Sequence, residues 1–390
     1  MKYYIIAGEA SGDLHGSNLI KELKKLDTNA SVRCWGGDKM EEAGGELVKH
    51  YRDLAFMGFT EVLMNLRTIF RNLAFCKEDI QRYKPDVLIL IDYPGFNLRI
   101  AKWARQQGLK VIYYISPQVW AWNRGRIKGM ARCLDLVLCI FPFEADLYNE
   151  SGLRALFVGH PMIERLQVRK ADVERDPNLI GLFPGSRLRE VRKILPVSIE
   201  TARLLLRSKP TLRFEVAAAS EELAQEISKM LTPHLDCLSS VTSGAPRTRP
   251  IFEIMVGKTA EIMQRAWVGI VASGSATLEA AYFRMPFALV YKVAWPTYLA
   301  ARLVVNVNYL GMPNLLAGRE VVPEFIQHRA QPDAIANALR PLIDDEKARN
   351  QMISQFDVVI PKLGGSGASE KAARAIIEEI GIRSSAVITR

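Results

Sequence analysis

Apolar residues along this chain fall into two recurring patterns. Short unbroken runs, Tyr3–Ala7, Val87–Ile91, Val111–Ile115, Leu136–Phe141 and Ala155–Val158, show no polar alternation. A strand that is apolar at every position has both faces buried, as in a parallel sheet covered on each side. Between the runs lie longer stretches with apolar residues three and four apart, such as Leu14–Lys25 and Phe96–Gln107, which predict the covering helices. The pattern lapses over Met162–Asn178, where charges and Pro177 predict a linker. It resumes with Leu179–Phe183, Arg213–Ala218, Val268–Ala272 and Phe287–Tyr291, and a final amphipathic helix spans Ser369–Ile380. The expectation is an α/β protein of two doubly wound halves, residues 1–165 and 166–350, with helices in 351–390 packing across them or onto a partner. Ligands of such sheets sit beyond the carboxyl ends of strands, where strand order reverses. The cleft between the halves is therefore the expected site, and the residues just after each run are the ones to inspect.

Composition narrows the class. With 390 residues and 49% apolar content the chain can bury two cores without disulfide or metal staples, and it is neither disordered nor collagen-like. Five cysteines, Cys34, Cys76, Cys133, Cys139 and Cys237, are scattered without a CxxC pair, which suits buried thiols in a reducing compartment. Neither a signal-peptide core nor a membrane-spanning apolar run is visible, so a cytoplasmic protein is expected. The net charge of +10 favours phosphate-bearing partners: nucleotides, nucleic acid or an anionic membrane surface.

Four turns hold candidate chemistry. After the first run, Gly8-Glu9-Ala10-Ser11-Gly12-Asp13 lets the backbone turn sharply into a helix; it is a plain tight turn, or Glu9 and Asp13 hold sugar hydroxyls there. Asp92 stands at the tip of the second run, where partial desolvation raises a carboxyl pKa and suits a general base toward a hydroxyl; the plainer reading is a turn residue before the next helix. In the second half, Gly185, Ser186 and Arg187 follow a strand and allow a phosphate to approach backbone amides beside a guanidinium. Gly274, Ser275, Ala276 and Thr277 form a similar turn, with Glu279 in reach of ribose hydroxyls. Two anion-type turns in one half point to a nucleotide diphosphate. No Asp-x-Asp is present, so helix dipoles and Arg187, rather than a metal, would neutralise the leaving group.

Two stretches point to surfaces. From Arg99 to Arg132 there are eight basic residues and no acid, with Trp120, Trp122 and Arg124 among them; this is a solvated basic face or a phosphate or lipid site, and it matches no nucleic-acid module. Residues 57–71 read as a helix whose stripe, Val62, Leu63, Leu66, Ile69 and Phe70, is flanked by Arg67 and Arg71. A core-facing helix and an in-plane membrane helix both fit, and the flanking cations favour the membrane.

Together these segments resemble the lipid-A-disaccharide synthase family. The resemblance rests on Ala7-Gly8-Glu9-Ala10-Ser11-Gly12-Asp13, Ile91-Asp92-Tyr93-Pro94-Gly95-Phe96-Asn97, Ser116-Pro117-Gln118-Val119-Trp120-Ala121-Trp122, Pro184-Gly185-Ser186-Arg187, Gly274-Ser275-Ala276-Thr277-Leu278-Glu279 and Pro313-Asn314-Leu315-Leu316-Ala317-Gly318-Arg319-Glu320, in that order. Two departures are Arg192 after the Pro-Gly-Ser-Arg turn and Tyr93-Pro94-Gly95 after Asp92. The resemblance implies two Rossmann-like domains of the GT-B glycosyltransferase type. It also implies transfer of the sugar of UDP-2,3-diacylglucosamine to 2,3-diacylglucosamine 1-phosphate, with inversion, no metal and no cofactor. It assigns Asp92, with Glu9 and Asp13, to catalysis, and Ser11, Asn314, Arg319, Trp120 and Arg124 to substrate. It further implies an enzyme peripheral to the cytoplasmic face of the inner membrane, with no nucleic-acid partner and with homodimerisation open. The rival readings are another UDP-sugar transferase or epimerase of this fold, and a non-catalytic polyanion- or membrane-binding protein.

Overall fold

The structure is a computed structural model that describes residues 1–53, 66–241, 250–305 and 307–387. The chain forms two compact units, Met1–Glu164 with Leu363–Arg390, and Arg165–Lys362. The first contains β1 (Lys2–Ala7), β2 (Ser31–Gly36), β3 (Glu46–His50), β4 (Val87–Ile91), β5 (Lys110–Tyr114), β6 (Leu136–Cys139) and β7 (Ala155–Phe157). They pair in parallel in the order β3-β2-β1-β4-β5-β6-β7. The second contains β8 (Asp176–Phe183), β9 (Arg213–Ala218), β10 (Phe252–Val256), β11 (Ala266–Ala272), β12 (Phe287–Tyr291) and β13 (Glu324–Ile326), parallel in the order β10-β9-β8-β11-β12-β13. Each sheet is doubly wound, with strand order reversing beside its first strand, between β1 and β4 and between β8 and β11.

All but one of the apolar runs are inner strands; Ala155–Val158 supplies β7, at an edge of the first sheet. Strands β2, β3, β10 and β13 have no such run, for two reasons. Three of them are sheet edges and need less covering, as the half-buried residues of β3 and β13 show. The fourth, β2, carries Arg33, whose guanidinium bonds both carboxylate oxygens of Asp79 on helix Leu66–Tyr83, at 2.9 and 2.8 Å. The predicted linker is also partly ordered structure: Met162–Arg169 is a helix, and β8 begins at Asp176, which Arg213 of the neighbouring strand holds at 2.7 Å. Cys34, Cys76, Cys133 and Cys139 are buried free thiols; the Cys237 side chain lies outside what is described.

The segment 351–390 divides rather than acting as one block. Helix Glu346–Val359 belongs to the second unit, where Phe356 stacks on Phe287 of β12 at 5.9 Å. Helix Ala368–Val387 belongs to the first unit and lies along helix Ala10–Leu26. Its Ala372, Ala373, Ile376 and Ile380 join Ile5, Ile89 and Ile112 in one buried cluster. The small alanines let the helix approach the sheet closely, and Glu379 ties it there. Lys110 Nζ donates to Glu379 Oε1 at 2.8 Å and to the Glu379 carbonyl, while Arg154 donates to Oε2 at 2.6 Å. The Lys110 and Glu379 side chains are 5% and 8% exposed, so loss of either partner leaves a buried charge. Glu379→Ala should therefore lower unfolding stability by about 3–5 kcal/mol in urea titration. A change below about 1 kcal/mol would mean that the helix is not held by this pair.

Candidate functional site

Some of the described candidate residues form two sets, one at each switch point. In the first unit, the turn after β1 and the turn after β4 leave neighbouring parallel strands on the same sheet edge. Gly8 supplies room: a Cβ there would run into the Tyr93 ring. Glu9 is extended and exposed at the start of helix Ala10–Leu26, and Ser11 is exposed one residue into it. After β4, Asp92 and Tyr93 have φ of +46° and +49°, two successive left-handed residues without glycine. Each such residue costs on the order of 1–3 kcal/mol unless its surroundings enforce it. The enforcing groups are visible. Asn97, fully buried, donates to the carbonyls of Asp92 at 2.7 Å and Ile91 at 3.2 Å, and the Tyr113 hydroxyl donates to the Asp92 carbonyl as well. The Asp92 carboxyl is half-buried at this turn. Burial raises its pKa first and the negative charge of Glu9 second, while the Tyr93 amide opposes both. A carboxylate so placed is a better proton acceptor than an exposed one.

Asp13 does something other than the chemistry expected of it. It is 3% exposed, and its oxygens accept from the backbone amides of Gly37 at 2.8 Å, Met40 at 3.1 Å and Lys39 at 3.3 Å. Three amides at the start of helix Asp38–Glu42 saturate it, so Asp13 fixes the turn after β2 and is removed from the catalytic set.

Trp120 is likewise removed from the substrate set. The ring is 6% exposed, packs edge-on against Phe143 at 4.9 Å, and its Nε1 donates to Glu144 at 2.9 Å. Sequence inspection passes over Glu144, because an acid opening a helix reads as a surface residue; only the fold shows it 1% exposed beneath Trp120. Burial pushes its carboxyl up to about 7, against the bonds from Trp120 and the Phe141 amide. Arg124 remains exposed, donating to the Trp120 carbonyl at 3.3 Å. The basic span around it is not a continuous patch, since Lys110 is buried against Glu379 and Arg105 pairs with Asp135 at 2.6 Å. Arg99, Lys102, Arg105, Arg124, Arg126, Lys128 and Arg132 are its exposed cations.

Of the membrane stripe, Val62 and Leu63 lie outside the described residues, as does the Leu66 side chain. Ile69 packs on the buried cluster that holds Leu73, Cys76 and Ile80, which puts it on the core face of helix Leu66–Tyr83 at three- and four-residue spacing. Ile69 is thus a core residue. Phe70 points the other way and is 62% exposed.

In the second unit, the turns after β8 and β11 also leave neighbouring strands. Gly185 has φ +113° and Gly274 φ +144°, values only glycine adopts without strain, and the space around Gly274 is open. Ser186, Arg187 and Ser275 are exposed and Ala276 half-buried. Among the described residues Arg187, the cap of helix Leu188–Ser208, meets Glu190 at 3.4 Å and is 74% exposed. Thr277 is fully buried and its hydroxyl donates to the Gly274 carbonyl at 2.8 Å, so it secures the turn instead of meeting a ligand. Glu279 is already engaged by Arg165 at 2.5 Å, an ion pair that ribose hydroxyls would have to share.

Asn314 is corrected too. Fully buried, it accepts from the amides of Val321 at 2.7 Å and Val322 at 2.9 Å, and donates to the Val322 carbonyl and Glu324, each at 2.8 Å. Every polar capacity is used to fold residues 310–324, so Asn314 shapes this loop and does not line it. Arg319 is exposed, bonded to Gln355 at 3.1 Å.

The carboxyl buried at Glu144 has a pH signature. With a folded pKa near 7 against an ordinary 4.5, it is protonated in the folded state where the unfolded chain is already ionised. Stability should therefore fall as pH rises between those values, by up to about 3 kcal/mol. Denaturant melts from pH 5 to 8 should show this slope, and Glu144→Gln should flatten it; equal slopes in both proteins would mean that Glu144 ionises normally.

Comparison with known proteins bears on the family and the fold. A model of the lipid-A-disaccharide synthetase family matches residues 3–377. The lipid-A-disaccharide synthases of Geobacter metallireducens and Myxococcus xanthus are 38% and 35% identical, over 97% and 96% of this chain and the same shares of their own. Among solved structures, the UDP-GlcNAc 2-epimerase of Neisseria meningitidis bound to UDP-GlcNAc superposes with a TM-score of 0.60 at 13% identity, covering 97% of this chain and 99% of its own. The glycotransferase of kitacinnamycin does so with a TM-score of 0.60 at 15%, covering 97% and 98%. At such identities these two likenesses speak for the fold alone.

Proposed function

The chain belongs to the lipid-A-disaccharide synthetase family and is a glycosyltransferase of GT-B fold, and on that premise we propose the reaction and the parts its residues take. The donor is UDP-2,3-diacylglucosamine and the acceptor 2,3-diacylglucosamine 1-phosphate. Asp92 takes the proton of the acceptor 6-hydroxyl as its oxygen bonds to the anomeric carbon of the donor. The bond from that carbon to the diphosphate oxygen breaks on the opposite face, UDP departs, and a β-1,6 disaccharide 1-phosphate results. The observation that carries this reading is the clamped left-handed Asp92–Tyr93 turn, which holds a carboxyl of raised pKa at a switch point.

UDP belongs on the second unit, with its diphosphate on the backbone of Gly185, Ser186, Gly274, Ser275 and Ala276, and with Arg187 swinging from its weak contact with Glu190 onto the leaving group. Charge-assisted bonds of this kind replace a metal. That a solved structure of this fold is bound to UDP-GlcNAc supports a UDP-sugar as the ligand. Glu9 keeps Asp92 basic through its charge and, with Ser11, meets sugar hydroxyls. The exposed Arg124 and its neighbours Arg126 and Lys128 meet the acceptor phosphate and an anionic membrane surface, where exposed Phe70 also dips. Among the described residues no helix is long and apolar enough to cross a membrane, which is consistent with peripheral attachment.

Product mass after incubation with the two acylated substrates tests the reaction itself. Asp92→Asn should retain UDP binding and lose at least about 10²-fold in kcat. An unchanged kcat in folded protein removes Asp92 from the mechanism. The acidic limb of kcat/KM should follow the raised Asp92 pKa, since the rate is lost as the base protonates. Glu9→Gln removes a negative neighbour, lowers that pKa and should move the limb to lower pH; an unmoved limb would assign it to another group. Turnover should also survive excess EDTA, and loss of activity restored by magnesium would refute the metal-free placement.

A further inference from the structure

A second cluster of cations lies at the other end of the second sheet. Arg175 precedes β8, Trp267 is near the start of β11, and Tyr282 and Arg284 precede β12. In a parallel sheet these are the amino ends of the strands, opposite the turns that follow β8 and β11. They line a cavity of about 400 Å³ with Lys170 and with Arg349 of helix Glu346–Val359. Four cations line it and Asp172 is its one acid.

Arg349 is the unusual member. It is 6% exposed, and its guanidinium lies 3.9 Å above the Trp267 ring. Stacking satisfies the face of the fork but not its edge: among the described residues Nε and Nη2 have no hydrogen-bond partner, and neither does the buried Nε1 of Trp267. Buried charges are ordinarily paired, because an unpaired one forfeits its hydration. Lys110 with Glu379 obeys that rule in this same chain. At Arg349 there are instead three unmet donors, all on residues that line one cavity. Arg175 adds charge and spends three of its five N–H groups inside the protein: its Nη1 bonds the carbonyls of Met263 at 2.9 Å and Ala266 at 2.5 Å, and Nη2 that of Phe283. Arg284 pairs with Asp357 at 3.0 Å at the surface. The crowding is felt electrostatically. Burial first, then the charges of Arg349 and Arg284, push Arg175 down to about 10, and burial with Arg284 lowers Arg349 as well. Although Asp172, Gln264 and Asn350 also line the cavity, the three unmet donors call for an acceptor-only, negatively charged group.

We propose that this cavity is a second anion site, separate from the nucleotide turns, which takes the phosphate of a small phosphomonoester on the Arg349 fork and Trp267 Nε1. Two sources present that group, a soluble sugar or glycerol phosphate and the headgroup of phosphatidic acid. The test uses the full chain saturated with UDP, so that the turns after β8 and β11 are occupied. Calorimetry at low salt would follow inorganic phosphate and glycerol 3-phosphate, and flotation would follow phosphatidic acid vesicles against phosphatidylcholine ones. Arg349→Gln should weaken binding at least about tenfold, the loss of a charge-assisted bond. Trp267→Phe keeps the ring beneath Arg349 and deletes one donor, so about threefold is expected. Should Arg349→Gln fail to fold, Lys170→Ala at the exposed rim with Trp267→Phe decides the matter. Binding of the soluble phosphates alone, weakened by these variants, supports the site with a metabolite as its ligand; binding of the vesicles alone, weakened likewise, supports it with a lipid headgroup. Absence of binding to the unaltered protein up to about 10 mM, or binding that the variants leave unchanged, overturns the proposal.

Discussion

Parallel strands buried on both faces impose the constraint on which this chain is built. Each sheet must find two layers of helix, and the helices between strands do not supply all of the first unit's second layer. The chain therefore leaves the first unit at residue 164, completes the second, and returns at residue 363 to lay one more helix beside Ala10–Leu26. The alanines at 372 and 373 permit that close approach, and the buried Lys110–Glu379 pair specifies where the helix stops sliding. Without it the side chains of Ile5, Ile89 and Ile112 would face water along one edge of the layer.

The same winding generates the chemistry. Strand order reverses once in each sheet, so two βα turns emerge side by side at each reversal. The first unit holds a carboxyl there, on a strained backbone that Asn97 and Tyr113 hold in place. The second holds glycines of positive φ, whose bare backbone an anion can approach. The carboxyl at the first reversal and the bare-backbone turns at the second are the features on which the proposed transfer from a diphosphate to a hydroxyl rests.

Polar residues inside this protein are mostly committed to holding it together. Asp13 holds three amides, Asn314 four backbone and side-chain groups, Thr277 a carbonyl and Trp120 the acid beneath it. Arg349 differs from all of these, since aromatic stacking leaves its edge unmet. A motif therefore mixes two kinds of residue: those that touch a ligand, and those that shape the loop so that others can.

How much was legible follows from where each kind of information resides. Most inner strands announce themselves because burial on both faces favours apolar residues, so Val87–Ile91 and Phe287–Tyr291 begin and end where their runs do. Arg213–Ala218 also does, its buried Glu215 being paired with Arg213 and Arg265. The glycine turns after β8 and β11 were equally plain, since a positive φ next to a strand end leaves few other residues possible. Edge strands such as β3 and β13 were not, because a half-covered strand tolerates polar residues. Nor could the sequence separate Glu9 from Asp13, four positions apart in one turn, or Ile69 from Phe70, adjacent on one helix. In each pair one side chain faces inward and the other outward. That difference is set by distant neighbours, the amides of residues 37–40 for Asp13 and the cluster around Leu73 for Ile69. Local residue pattern determines which elements form and which turns can accept an anion, because those depend on a few consecutive dihedrals. Whether a polar side chain meets a ligand or a backbone amide depends on what the rest of the chain brings against it, and only the tertiary structure decides that.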